Sequence, residues 1–101
     1  MDYLQLYLYT RKGCCLCQGL EERIRELPLE SLEHPLKLNI LDIDSKDIDP
    51  KIRNRYDFSV PVLALMIRET GKLVELPRVS PRLKQQSLSD WLLKKITKII
   101  E

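Results

Sequence analysis

The sequence predicts an α/β domain built on a four-stranded mixed sheet with helices on both faces, in the order β-α-β-α-β-β-α. Three patterns predict it. Two strand-like segments are each followed by a helical one; a long apolar run then leads through a turn into a short strand; and an apolar stripe at helical spacing comes last. Two βα units followed by a hairpin form one mixed sheet, and helices on both faces are needed to bury its central run.

The elements follow in order. Tyr3 to Tyr9 alternates Leu4, Leu6 and Leu8 with Gln5, Tyr7 and aromatic neighbours, the pattern of a first strand. The Tyr3, Tyr7 and Tyr9 side reads as sheet packing. Arg11-Lys12-Gly13 breaks the alternation, and from Cys14 the period turns helical, with Leu16, Leu20, Ile24 and Leu27 at i, i+4, i+8 and i+11. Pro28 stops that helix near residue 27, and a polar loop runs to Pro35. Leu36, Leu38, Ile40 and Leu41 form the second strand.

Asp49 before Pro50 predicts a helix N-cap followed by proline at the first helical position, with Ile52 and Tyr56 on one face of a short helix. Asp42, Asp44, Asp47 and Asp49 superficially resemble a calcium loop. They lack its glycine and terminal glutamate, so a solvated turn with a helix cap is the better reading. The run from Val60 to Ile67 is nearly all apolar, as a strand covered on both faces requires. Glu69 to Lys72 reads as a hairpin turn into Leu73 to Leu76. A loop with Pro77 and Pro81 precedes a last helix striped with Leu88, Trp91, Leu92, Ile96 and Ile99. Its start is open: Ser87 with Asp90 resembles a capping box, and a start one turn earlier also fits.

Composition narrows the function. A length of 101 residues and 44% hydrophobic content give one domain, residues 1–101, with a core of its own. Such a domain buries roughly two thirds of its unfolded surface, so it needs no disulfide staples. The net charge is only +2, with no basic stripe, which argues against nucleic acid as a partner. No apolar run approaches the roughly 20 residues that span a bilayer. Asp2 and the immediate alternation speak against a signal peptide. The expectation is a cytoplasmic monomer.

Cys14, Cys15 and Cys17 sit within four residues, with no cysteine elsewhere. They cannot tie distant segments, so the sulfur chemistry is local. The group lies where the first strand passes into the first helix, at the positive end of the helix dipole. Arg11 and Lys12 add positive charge upstream. Together these features lower a thiol's pKa from about 8.5 into the range of roughly 3.5–7.5. Residues at i and i+3 share a helix face, which lets Cys14 and Cys17 meet, while Cys15 is turned about 100° away. Cys14 is thus the candidate nucleophile and Cys17 the resolving thiol. Cys15 reads as a semi-buried spectator or an auxiliary thiol.

The stretch from Leu8 to Cys17, LYTRKGCCLC, resembles the active-site segment of glutaredoxins and small glutaredoxin-like proteins. Ser59-Val60-Pro61-Val62-Leu63 resembles the segment that carries their cis-proline. The resemblance implies a thioredoxin-like fold and thiol–disulfide oxidoreductase activity in cell redox homeostasis. It implies further that Pro61 is cis beside Cys14, that the Val60 backbone pairs with a substrate, and that Arg11 contacts a glutathione carboxylate. No bound cofactor is implied. Protein or small-molecule disulfides are the substrates, with glutathione as a co-substrate at most.

The chain departs from that pattern in two places. Cys15-Leu16 stands where glutaredoxins usually have Pro-Tyr or a similar pair. Leu76 to Arg82, LPRVSPR, stands where they carry a Gly-Gly turn and an acidic residue that bind the far end of glutathione. Proline offers no N–H and the close approach of glycine is lost, so weak or no glutathione binding is expected. Arg78 and Arg82 are then available to an acidic group on another partner. Two other readings stay open: a redox-inactive adaptor, and a thiolate metal or intersubunit iron–sulfur site. Adjacent cysteines chelate one ion poorly, and the single histidine, His34, lies in a separate loop.

Overall fold

Strand β1 (Leu4–Thr10) organises the sheet by pairing on both sides. It runs parallel to β2 (Leu36–Asp42), with Leu6 opposite Leu38, and antiparallel to β3 (Val62–Met66), with Leu6 opposite Leu65. β4 (Leu73–Glu75) pairs antiparallel with β3, giving the order β2-β1-β3-β4. The computed structural model describes residues 3–67, 70–80 and 82–100. Glu69 of the expected hairpin turn and Pro81 of the following loop lie outside them. A parallel pair cannot be joined by a tight turn, and α1 (Cys15–Arg25) supplies the crossover between β1 and β2.

The period-2 alternation divides the core in two. Leu6, Leu8, Leu63 and Leu65 point to one face, where they pack with Leu20 and Ile24 of α1 and Leu88, Leu92 and Ile96 of α3 (Gln85–Ile100). Tyr9, Val62 and Ala64 point to the other face, where they meet Ile43 and Tyr56. Tyr56 belongs to α2 (Pro50–Tyr56), and its ring lies 5.2 Å from that of Tyr9, centroid to centroid. β3 is therefore buried on both sides, as its continuous apolar run requires. Asp49 caps α2 by accepting the Lys51 amide at 2.9 Å.

Two local expectations are corrected, and the open start of α3 falls at the earlier of its two positions. α3 begins at Gln85, so Ser87 lies inside the helix, and Asp90 accepts a bond from Gln86 Nε2 at 3.0 Å instead of closing a capping box. The start is fixed by tertiary contact: Gln85 Nε2 donates to the Glu26 carbonyl at 2.8 Å, and Arg23 Nη1 donates to the Leu83 carbonyl. In α1 the buried stripe is Cys17, Leu20, Ile24 and Leu27 rather than one starting at Leu16, which is 56% exposed. A step of three instead of four turns Leu16 outward at the helix's first turn. The loop after α1 also holds a 3₁₀ turn over Leu29–Ser31.

Candidate redox site

The site begins with a turn between β1 and α1. Gly13 takes a φ of +80°, a left-handed conformation that costs glycine little, and the Cys14 amide donates back to the Arg11 carbonyl at 3.2 Å. That turn delivers Cys14 to the N-cap of α1, where its Sγ accepts the Cys17 amide at 3.1 Å. Capping usually falls to an oxygen; here a sulfur takes one of the helix's unpaired N–H groups. Cys14 and Cys17 are joined as a disulfide with Cα atoms 5.2 Å apart, inside the usual span for such bonds.

The two sulfurs differ in access. Cys14 is half-buried, while Cys17 is only 2% exposed and packs into the core face of α1. Cys15 is a free, exposed thiol, so of the two readings the semi-buried spectator is corrected: it stands two residues, about 200° of helical rotation, from the core-facing Cys17. Among the described residues no group of three histidine, cysteine, aspartate or glutamate side chains is placed to hold a metal ion.

Arg11 differs most from its expected role. Its guanidinium forks onto Asp44, with Nε to Oδ2 at 2.8 Å and Nη2 to Oδ1 at 3.0 Å. Nη2 also donates to Asp57 Oδ1 at 2.6 Å, and Nη1 to the Asp57 carbonyl at 2.7 Å. Hydrogen bonds to the two carboxylates hold the guanidinium pKa above its ordinary value, and the same contact holds the Asp44 carboxyl below the usual carboxylate range. Arg11 is thus not a free cation: its charge is matched by two anions. Lys12, one residue on, is exposed.

The Val60–Pro61 peptide is cis, as the resemblance implies. Among the described residues no hydrogen bond engages the half-buried Val60 amide or carbonyl. Arg78 Nη2 donates to the neighbouring Ser59 carbonyl at 2.6 Å. A pocket of about 160 Å³ adjoins this segment, lined by Ser59 and Pro61 together with Arg55, Tyr56, Glu75 and Arg78. Neither cysteine lines it. Glu75 accepts the Tyr56 hydroxyl at 2.8 Å and lies 3.5 Å from Arg55; burial and this carboxylate push the Tyr56 pKa up to about 12. Asp44, Asp57, Arg55 and Glu75 carry no local signal as site neighbours, because only folding brings them together. Phe58, beside Ser59, is 95% exposed.

A disulfide capping the first helix, a parallel β1–β2 crossover and a cis-proline entering β3 define a protein of the thioredoxin fold. Solved structures agree on the fold. A malarial protein covers 94% of this chain and 99% of its own at 14% identity, with a TM-score of 0.59. Thioredoxin 1 from Thermosipho africanus TCF52B covers 96% and 99% at 11% identity, with a TM-score of 0.56. Trxlp from Edwardsiella tarda EIB202 covers 89% and 82% at 19% identity, with a TM-score of 0.54. No curated protein sequence matches the chain. The family model described as Glutaredoxin-like domain (DUF836) matches residues 5–93, and the chain belongs to that family.

Proposed function

We propose that the chain is a thiol–disulfide oxidoreductase that works through Cys14 and Cys17. The observation that carries this reading is the pair's placement: an accessible sulfur at a helix N-cap, bonded to a backbone amide, with its partner one turn inward. The amide and the helix dipole both favour a negative charge on Cys14 Sγ.

In the reduced chain the Cys14 thiolate attacks one sulfur of a substrate disulfide; that S–S bond breaks and the far sulfur leaves as a thiolate. The Cys17 thiol gives up its proton and attacks Cys14 Sγ, breaking the mixed disulfide and releasing the second substrate thiolate. Both released thiolates take up protons. Two electrons pass to the substrate, and the chain is left with its Cys14–Cys17 disulfide, which a cellular thiol reductant reopens. A reducing compartment, the cytoplasm by this reading, suits that cycle. The test is alkylation of the reduced chain by iodoacetamide as a function of pH. The rate at Cys14 should titrate with a midpoint below about 8, and a midpoint at or above that value would remove the activated thiolate.

Protein disulfides are the proposed substrates in preference to glutathione. Leu16 within the motif and Phe58 beside the cis-proline segment are exposed at 56% and 95%, apolar side chains that a polypeptide partner could cover. The open Val60 backbone supports pairing with an extended segment. Arg11, which glutathione's carboxylate would need, is already bound to two aspartates. Arg78 stays exposed next to the groove and suits an acidic group on the partner. Turnover of a glutathione mixed disulfide is therefore expected to trail that of a protein disulfide by about tenfold or more, roughly the worth of one lost charged contact. Equal kcat/KM on the two would refute this preference.

A further inference from the structure

We propose that Arg11 is the positioning residue of this site, fastening the cis-proline segment to the loop that carries Cys14. The functional consequence rests on the oxidoreductase reading above; the fastening itself does not.

The observations form a continuous chain of contacts. The Arg11 carbonyl accepts the Cys14 amide, so Arg11 and Cys14 are held in one turn. The Arg11 side chain then reaches the other half of the site by bonding both the side chain and the carbonyl of Asp57. Asp57 is the C-cap of α2 and stands three residues before Val60. The intervening stretch is pinned from the other direction by the Ser59 amide on the Tyr56 carbonyl at 2.9 Å and by Arg78 on the Ser59 carbonyl. The bidentate contact with Asp44 fixes the guanidinium plane against the turn after β2.

The chemistry requires arginine. Four donor contacts in one plane, two to a carboxylate fork and two to the side chain and carbonyl of a second residue, match a guanidinium. A lysine ammonium has three donors on a single atom and cannot span them. The pairs are partly exposed, with 29% of the Arg11 side chain accessible, and such pairs add little to global stability. What they hold is relative placement. A substrate must meet Cys14 Sγ and the Val60 backbone at once, so a shift between the two loops weakens docking before it touches the sulfur chemistry.

The test uses full-length Arg11→Lys and Arg11→Gln variants. It measures kcat and KM with a disulfide-bonded reporter peptide, amide hydrogen exchange at residues 12–14 and 57–60, and the thermal midpoint. In both variants KM should rise about tenfold while kcat changes less than about twofold. Exchange should quicken in both loops together, and the midpoint should move little. Lysine keeps the charge without the fork, so rescue of KM by Arg11→Lys would overturn the proposal, as would wild-type KM and exchange in both variants. Should Arg11→Gln fail to fold, the lysine variant alone decides. A wild-type chain inactive on every disulfide would sink the oxidoreductase reading; the exchange data would then still decide the fastening, upheld if both loops quicken and overturned if neither does.

Discussion

Cys14→Ser should abolish disulfide exchange, and Cys17→Ser should halt it one step later with the substrate held on Cys14. Serine at the N-cap keeps the hydrogen bond to the Cys17 amide and preserves α1, because a hydroxyl caps at least as well as a sulfur. It cannot act as the nucleophile, since an unassisted hydroxyl is not ionised at neutral pH. Removing the group that forms the covalent bond costs about 10³-fold or more in rate. Cys15 does not substitute: it is exposed, and the N-cap position belongs to Cys14. Cys17→Ser leaves the attack intact and removes the release step, so mixed disulfides accumulate and can be identified by mass. If that variant captured glutathione as readily as protein thiols, the reading of the Leu76 to Arg82 loop would fail. If Cys14→Ser exchanged at the wild-type rate, Cys14 would not be the nucleophile; if the wild-type chain exchanged no disulfide at all, the adaptor reading would replace the enzyme.

Leu8→Ala should cost about 2–5 kcal/mol of folding stability, a large share of the roughly 5–15 kcal/mol typical of a domain. Leu8 is fully buried in the central strand and packs in the cluster formed with α1 and α3, so truncation leaves a cavity that rigid elements on both sides cannot fill. Phe58→Ala removes a larger side chain that is 95% exposed and should change stability by less than about 0.5 kcal/mol. Urea denaturation of both variants checks the contrast. The Leu8 midpoint should fall with an unchanged slope, and a loss under about 1 kcal/mol would mean that this face is not the core.

The frame of this fold is legible in the sequence because it rests on local rules. Alternation marks β1, the Asp49-Pro50 pair marks the start of α2, and an unbroken apolar run marks the doubly covered β3. The cysteine spacing and its place at a strand-to-helix junction are equally local, and the disulfide forms where they indicate. What escaped is non-local. Arg11 bonds Asp44 and Asp57, which lie 33 and 46 residues away, and nothing in the spacing of one residue announces partners at that range. The start of α3 is ambiguous in the sequence for a related reason: Gln85 and Leu83 are fixed by bonds to α1, whereas Ser87 carries a local capping signal that those contacts override. Leu16 and Cys17 compete for the first place in the α1 stripe through spacings of four and three, and where the core ends decides between them.

Cys17 is at once a core side chain of α1 and half of the disulfide. This makes electron transfer and folding two legs of one thermodynamic cycle. Whatever free energy the closed bond adds to the folded chain beyond the unfolded one must reappear as added resistance of that bond to reduction in the folded chain. For a two-electron couple the exchange rate is about 30 mV for each ~1.4 kcal/mol. Any substitution that loosens the packing around Cys17 more in one redox state than in the other therefore retunes the potential without touching either sulfur.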